Sequence, residues 1–235
     1  MYVALLDRAQ LLSFLPEGGV VAEIGVALGD FSERILREGR ARELHLIDPW
    51  IHQDREDYLV DDNNVPADQQ EQRYLDIQTR FAAEITDGRV HVHRAFSQDK
   101  MPEFEDASLD WVYVDGMHTY DAVTRDLSLS WDKIKDDGFI LGHDFTNGPL
   151  GQKQNFGVVE AVNQFVVERK GIFVAMTMEV YPTYMLAKSV TPRLATFLEE
   201  FLYHTAFVTE IRGIPHRFEH KKIRVKDKGI HYFSY

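Results

Sequence analysis

Residues 20–32 read Val-Val-Ala-Glu-Ile-Gly-Val-Ala-Leu-Gly-Asp-Phe-Ser, and this stretch decides the fold. Its apolar start predicts a buried strand that ends at Gly25. Gly29 follows four residues later, and either Asp30 or Ser32 is suited to cap the helix that comes next. A strand, a glycine turn and a helix in this order predict a nucleotide-sized pocket at the end of a parallel sheet.

The spacing of the glycines distinguishes between two nucleotide cofactors. A dinucleotide-binding turn that starts at Gly25 needs glycines at positions 27 and 30, which are Ala27 and Asp30 here. The order of acidic residue, spacer, Gly25, three spacers and Gly29 resembles instead the first motif of class I S-adenosylmethionine (SAM) methyltransferases. The resemblance implies SAM as the cofactor, with an NAD-dependent oxidoreductase as the less favoured alternative.

Alternating strand and helix patterns along the chain predict a Rossmann-like, doubly wound α/β fold. Five strands separated by helices end near residues 24, 47, 95, 114 and 142, and two antiparallel strands flank Pro182. This order matches the seven-stranded, mostly parallel methyltransferase sheet with an antiparallel final strand. The predicted helices cover residues 2–15 at the N-terminus and residues 30–36, 74–85, 120–131, 158–168 and 192–203.

Residues 1–190 are predicted to form one SAM-dependent methyltransferase domain. Within it, residues 52–72 hold seven acidic residues against one arginine, and they form either a solvated insertion or a mobile lid over the substrate. Residues 191–235 are predicted to be a C-terminal extension that packs on the domain or on a neighbouring subunit of a homo-oligomer. Its stretch 212–228 carries seven Lys or Arg against two acids, which leaves an anionic ligand as a third docking partner.

Composition excludes some classes of function. The 235 residues carry a net charge of −12, which argues against nonspecific binding of nucleic acid. The absence of cysteine excludes disulfides and thiolate metal sites. Asp7 and Arg8 interrupt the apolar N-terminal residues, and no uncharged run is long enough to span a bilayer. We therefore expect a cytoplasmic protein whose partner is a small molecule and not a membrane.

Polar residues follow five predicted strands at their carboxyl ends, where open parallel sheets bind ligands. Asp48 follows Gly29 by 19 residues, a spacing at which a carboxylate accepts hydrogen bonds from both ribose hydroxyls. Ser97 follows the third strand, where the methyltransferases that this chain resembles contact the adenine or ribose edge. The predicted cofactor-binding residues are Glu23, Gly25, Gly29, Asp48, Ser97 and Asp115.

Two neighbouring strand ends carry the residues that we predict to act in catalysis. Asp115 follows the fourth strand, and His143-Asp144 follow the fifth. Because aspartates that face one gap suit Mg²⁺, Mn²⁺ or Ca²⁺, Asp115, Asp144 and His143 are the candidate metal ligands, with Mg²⁺ as the expected ion. His118, three residues past Asp115, is the candidate general base for a substrate hydroxyl whose oxygen attacks the methyl group in line.

The run VDGMHTYDAV…DLSLSW…DDGFILGHDF…GVVEAVNQF resembles the small metal-dependent O-methyltransferases that modify macrolide and other antibiotic sugars. The resemblance covers roughly residues 18–190 and implies methylation of a hydroxyl on a sugar or natural product. In that family the aspartate at the position of Asp115 binds Mg²⁺, the histidine three residues later is the base, and an acidic pair completes the metal site. His143 replaces the first acid of that pair, so weaker metal binding, a transition metal, a metal-independent reaction and a non-catalytic SAM-binding protein remain alternatives.

Overall fold

The computed structural model describes residues 1–56, 58–59, 61–213, 219–225 and 228–234. The strands are β1 (Tyr2–Ala4), β2 (Val20–Ile24), β3 (Glu43–Asp48), β4 (Val90–Arg94), β5 (Leu109–Val114), β6 (Ile134–Gly142), β7 (Ile172–Thr177), β8 (Tyr184–Ala187), β9 (Val208–Glu210), β10 (Glu219–Val225) and β11 (Lys228–Ser234). The helices are α1 (Arg8–Leu12), α2 (Asp30–Arg37), α3 (Ala67–Arg80), α4 (Ala82–Thr86), α5 (Ser97–Lys100), α6 (Tyr120–Lys133), α7 (Pro149–Lys153), α8 (Val158–Arg169) and α9 (Pro192–His204), with a 3₁₀ turn at Met101–Glu103.

Nine strands form one sheet in the order β4-β3-β2-β5-β6-β8-β7-β1-β9, and β10 pairs with β11 in a separate hairpin. The first seven strands in this order have the predicted arrangement. Strands β2 to β6 are parallel, and β8 runs antiparallel to both β6 and β7. The Rossmann-like methyltransferase fold is therefore confirmed. The sheet extends beyond the prediction by two strands, β1 and β9.

Helices cover both faces of the sheet, as the near-continuous apolar strands require. Along β5, Trp111 and Tyr113 pack on one side and Val112 and Val114 on the other, and all four are buried. The C-terminal helix α9 joins the first of these cores through Leu194, Phe197 and Phe201. In the basic stretch 212–228, Arg212 donates to Glu210 Oε2 at 3.0 Å, and the basic side chains from position 214 onward lie outside the part of the chain that the structure describes.

The predicted N-terminal helix over residues 2–15 is wrong at its start. Tyr2–Ala4 form strand β1, which pairs in parallel with β7 and antiparallel with β9. The helix begins only after Asp7, which caps it in a capping box with Gln10. Pairing with strands more than 160 residues away therefore overrides the helical pattern of the first residues.

Three local predictions also differ from the structure. Helix α2 is preceded by Gly29 at its N-cap, so neither Asp30 nor Ser32 caps it with a side chain. Helix α3 begins at Ala67 and not at residue 74, because the polar residues after Pro66 are good helix formers although they belong to the predicted acidic segment. The short helix α7 lies where no helix is predicted from the sequence.

Gly25 lies where the turn after β2 meets the turn after β5. Its φ is +86°, and a Cβ atom there would lie 2.1 Å from the carbonyl oxygen of Asp115. Only glycine tolerates both conditions. The glycine turn and Asp115, far apart in sequence, are thus in direct backbone contact.

We expect Gly25→Ala to lower the free energy of unfolding by about 3 kcal/mol or more, because it adds a steric overlap to a left-handed backbone. Gly88→Ala is the matched control, since Gly88 has a φ of +72° with nothing within 4 Å of the added Cβ. The control is expected to cost about 1 kcal/mol. Urea denaturation measures both, and equal losses would contradict the close contact at Gly25.

Candidate active site

A cavity of about 350 Å³ opens at the carboxyl ends of β2, β3, β4 and β5. This volume lies in the range of small-molecule sites, about 300–1,000 Å³. Four of the predicted cofactor-binding residues lie on its wall: Gly25, Asp48, Ser97 and Asp115. Sheet topology thus brings together residues that are up to 90 positions apart in the sequence.

Asp48 fastens the glycine turn to the end of β3. Its Oδ2 accepts the backbone N–H groups of Val26 at 2.9 Å and Ala27 at 3.0 Å, and its Oδ1 accepts that of Trp50 at 2.8 Å. Burial raises the pKa of Asp48, and these three N–H donors oppose the shift. A carboxylate offers about four lone-pair sites, so this arrangement leaves roughly one for the predicted ribose contact.

Glu23 and Gly29 lie behind the cavity and not on its wall. The Ser32 hydroxyl donates to Glu23 Oε2 at 2.5 Å, and Glu23 is fully buried. Burial raises the pKa of Glu23 to about 8. Gly29 instead packs against helix α3, because a Cβ atom at this position would lie 2.5 Å from Ile77 Cδ1. Contact of Glu23 and Gly29 with the cofactor therefore stays a prediction.

Ser97 lies on the cavity wall in the first turn of α5. Its hydroxyl donates to Asp126 Oδ1 at 2.6 Å. Burial raises the pKa of Asp126 to about 6, a shift that the Ser97 hydroxyl opposes. Asp126 also lines the cavity, but its position inside the amphipathic helix α6 gave no signal in the sequence.

A cluster of imidazoles and carboxylates lies beside the cavity. His118 Nε2 is 2.9 Å from Asp144 Oδ2 and 3.6 Å from Asp115 Oδ1. His143 Nδ1 is 3.2 Å from Asp144 Oδ2 and 3.6 Å from Asp115 Oδ1. The predicted catalytic and metal-binding residues therefore lie together, and Asp115 belongs to both the cluster and the cavity wall.

Two residues of this site were missed in the sequence. Arg8 of α1 donates to Asp115 Oδ2 at 3.0 Å. Asp61, in the acidic segment, places Oδ2 3.5 Å from His118 Nδ1 and also lines the cavity. Seven acids in one segment were the available signal for Asp61. No signal in the sequence pointed to Arg8 except that it is a single cation in an apolar stretch.

The acidic segment covers the cavity. Tyr58, Asp61 and Asn63 line the cavity wall. Asn64 holds the segment in a loop, because its side chain accepts from the Gln53 N–H at 2.9 Å and donates to the Gln53 carbonyl at 2.9 Å. The segment is therefore part of the cavity wall, and its role as a mobile lid over the substrate stays a prediction.

Charge coupling dominates the cluster. Burial alone lowers the pKa of His118, but Asp144, Asp115 and Asp61 outweigh it and raise that pKa well above its usual value. Burial is likewise outweighed at His143, whose pKa the neighbouring Asp115 and Asp144 raise to about 9. The two imidazoles in turn hold the pKa values of Asp115 and Asp144 below the usual range.

The cluster also fits a divalent cation. One ligand atom from each of Asp115, His118 and Asp144 lies within 4.8 Å of the other two. Both ring nitrogens of His118 are shielded from solvent and make no hydrogen bond of regular geometry to any described residue. Two carboxylates and an imidazole suit Mn²⁺ at least as well as Mg²⁺, which prefers oxygen alone.

Among the described residues, no helix is both long and apolar enough to cross a bilayer.

A family model described as a methyltransferase domain matches residues 22–145. A search of curated proteins finds no match.

Solved structures with a similar fold carry different activities in their names. A tRNA methyltransferase from B. subtilis is 12% identical over 81% of this chain and 68% of its own, with a TM-score of 0.51. An O-methyltransferase family protein from Burkholderia thailandensis is 13% identical over 77% of this chain and 55% of its own (TM-score 0.54). Spermidine synthase from Thermotoga maritima is 13% identical over 86% and 63% (TM-score 0.51). Such low identities show a shared fold and leave the acceptor to be argued from the site.

The position of Glu23 generates a pH prediction. A carboxyl whose pKa rises from 4.5 to about 8 on folding contributes stability below the unfolded value and loses it as the pH rises through the folded value. Glu23→Gln keeps an oxygen for the Ser32 hydroxyl without this titration. We therefore expect the difference in melting temperature, variant minus wild type, to increase by at least about 3 °C as the pH rises from 5 to 9.

Glu199→Gln, at an exposed position on α9, controls for the loss of a charge. Thermal unfolding followed by circular dichroism measures the difference at each pH. A constant difference between Glu23→Gln and wild type across this range would contradict the buried, neutral carboxyl.

Proposed function

Since the chain belongs to the methyltransferase domain family and is a SAM-dependent methyltransferase, we propose that it methylates a hydroxyl group on a small molecule of the sugar or glycosylated natural product class. One observation carries this proposal: a histidine held between carboxylates lies directly beside a cofactor-sized cavity. Asp61 contacts His118 and lines that cavity, and Asp115 does the same. A proton acceptor and a methyl donor would therefore meet at one place.

The cavity has the chemistry to hold SAM. Apolar surface for an adenine ring is offered by Ile24, Ile47 and Phe96. The close backbone packing of Gly25 against Asp115 fixes the position of the cavity wall between them. Asp48 supplies the acceptor for ribose, and further carboxylates on the wall suit the positive charges of the cofactor. When bound, SAM supplies an electrophilic methyl group on its sulfonium.

His118 is proposed to take the proton of the acceptor hydroxyl, a role that requires its neutral form. The neighbouring carboxylates favour the imidazolium, and a cation bound by Asp115 and Asp144 would oppose that effect. The Nε2 of His118 faces Asp144 at 2.9 Å, so Nδ1 is the nitrogen proposed to face the substrate. Because Nδ1 is shielded from solvent and lies 3.5 Å from Asp61 Oδ2, Asp61 has to move for the substrate to reach it. Asp144 stabilises the imidazolium that forms after proton transfer, as a buried carboxylate does beside a catalytic histidine. Arg8, bound to Asp115 Oδ2, offsets part of the negative charge around the base.

A divalent cation is proposed to lie between Asp115 and Asp144 with His143 as its third ligand. His118, which shares the 4.8 Å group with these two carboxylates, is then left to act as the base, and the cation would make the acceptor hydroxyl more acidic. His143 Nδ1 already points at both carboxylates, at distances of 3.2 and 3.6 Å. With His143 as a nitrogen donor, the set favours Mn²⁺ or a later transition metal over Mg²⁺. Whichever of these ions binds, Asp115 and Asp144 lie on the side of the site where the acceptor is proposed to bind.

Aromatic rings beside the base support a small-molecule acceptor. Phe156 lies 4.6 Å from the His118 ring, and Tyr181 lies 6.2 Å from His143, centroid to centroid. Apolar walls with a few convergent polar groups are typical of small-molecule sites. A nucleic acid fits less well, because the net charge of −12 repels a phosphate backbone.

Binding of S-adenosylhomocysteine tests the cofactor site. We expect micromolar binding by isothermal titration calorimetry and a loss of at least about tenfold in Asp48→Asn, which removes an acceptor from buried N–H donors. Asp54→Asn, an exposed change on the neighbouring loop, is expected to bind like wild type. Failure of the wild type to bind, or equal binding by both variants, would count against the assigned cavity.

Methyl transfer tests the acceptor side. In a panel of hydroxylated sugars and glycosides with labelled SAM, His118→Gln and Asp144→Asn are expected to lose at least about 100-fold in kcat, the scale of general base catalysis. Both variants should keep wild-type affinity for S-adenosylhomocysteine, because neither residue lines the cavity. Asp87→Asn, an exposed change in the turn between α4 and the start of β4, is the control.

Retained activity in both variants would exclude His118 as the base. A chelator separates the metal from the base: activity that persists in it contradicts the cation but leaves the role of His118 intact. Binding of S-adenosylhomocysteine without transfer to any hydroxyl would favour the non-catalytic alternative.

A further inference from the structure

A second group of histidines lies on one face of β3 and β4, at the edge of the sheet. Glu43 and His45 are two residues apart on β3, and His91 and His93 are two residues apart on β4. Because side chains alternate along a strand, each pair points to one face. His45 pairs directly with His91 across the parallel strands, so all four side chains share that face.

The ligand atoms lie at distances suited to one ion. Glu43 Oε1 is 3.0 Å from His91 Nε2 and 3.3 Å from His45 Nε2, and the three residues fall within a common 4.8 Å limit. Tetrahedral Zn²⁺ with bonds of about 2.0–2.1 Å holds its ligand atoms roughly 3.3 Å apart. The two distances from the carboxylate therefore match those of such a site, and the two imidazole nitrogens lie within 4.8 Å of each other.

His93 orients one of these ligands. Its Nε2 is 3.0 Å from His45 Nδ1. When His45 donates its Nδ1–H in this bond, the lone pair of its Nε2 is left on the side of Glu43. Metal-binding histidines commonly make this hydrogen bond with the nitrogen that does not hold the ion.

The Nε2 atom of His91 gives an independent indication. It is shielded from solvent and makes no hydrogen bond of regular geometry within the described part of the chain, although Glu43 lies beside it. The rings of His45 and His91 are stacked at 4.7 Å with 17° between their planes. Joint coordination therefore requires one ring to turn, and His91 has room, since 38% of its side chain is exposed.

The surroundings keep the imidazoles of His45 and His93 neutral. Burial, with Lys100 and neighbouring histidines, lowers the pKa of His45 and of His93 to about 4. A neutral imidazole is the form that coordinates a metal. Lys100 is itself paired with Glu103 at 2.7 Å, and the Phe104 ring covers His45 edge-on at 4.8 Å.

We propose that Glu43, His45 and His91 bind a divalent transition metal ion, represented by Zn²⁺, at a site separate from the active site. Glu43 precedes Asp48 by five residues on the same strand, which places the two sites about 16 Å apart along β3. His93 acts as a positioning residue. The ion would join the edge strand β4 to β3 and so stabilise the fold without entering the reaction.

The experiment uses the full chain with Asp115→Asn and Asp144→Asn, which removes the carboxylates of the active-site cluster. Zn²⁺ is titrated by calorimetry, and the melting temperature is measured with and without Zn²⁺. We expect one ion per chain and a higher melting temperature with Zn²⁺. His91→Ala and His45→Ala are expected to lower the affinity at least about 100-fold, and His93→Ala about 10- to 100-fold.

His204→Ala is the matched control, because His204 faces Glu200 at 3.3 Å on α9, like His45 and Glu43, but belongs to no group of three ligands among the described residues. It is expected to leave the affinity unchanged. If His91→Ala does not fold, His91→Gln replaces it, and the visible absorption of bound Co²⁺ gives a second measurement. Absence of binding in the parent, or full affinity in the His91 variant, would overturn the site.

Discussion

The arrangement of the active site depends on a row of backbone hydrogen bonds that continues past the ends of the strands. The Gly25 N–H donates to the Ile47 carbonyl at 3.0 Å and the Asp115 N–H to the Ile24 carbonyl at 2.8 Å, and the His143 N–H extends the row to Val114 at 3.0 Å. The turns after β3, β2, β5 and β6 are therefore fixed side by side. Because Gly25 has no side chain, the turns after β2 and β5 also touch.

Fixing the turns so closely brings several carboxylates into one small volume, and this repulsion must be compensated. Buried charges persist in proteins when they are paired. Here Arg8 approaches from α1, and two imidazoles lie between Asp115 and Asp144. The same pairing that makes the cluster tolerable also tunes the candidate base, whose pKa the neighbouring acids raise. Charge balance and proton transfer are thus properties of one arrangement.

The residues that the sequence predicts well are those whose position follows from local periodicity. Asp48, Asp115 and Asp144 come directly after apolar strands, and parallel strands bring their carboxyl ends to one edge. Contacts set by distant packing leave no such pattern. Arg8 reaches the site from a helix 107 residues before Asp115 in sequence, and β1 forms only because β7 and β9 lie beside it.

The two histidine clusters differ in the structures that carry them, and this difference accounts for their different proposed roles. His118, His143 and Asp61 lie in loops, which adjust to a substrate and are the usual carriers of function. Glu43, His45, His91 and His93 lie within hydrogen-bonded strands, whose backbone cannot move without breaking the sheet. An ion held there would restrain the edge strand β4 and, through Asp48 at the far end of β3, the position of the glycine turn. A site for stability at one end of a strand would thereby support a site for chemistry at the other.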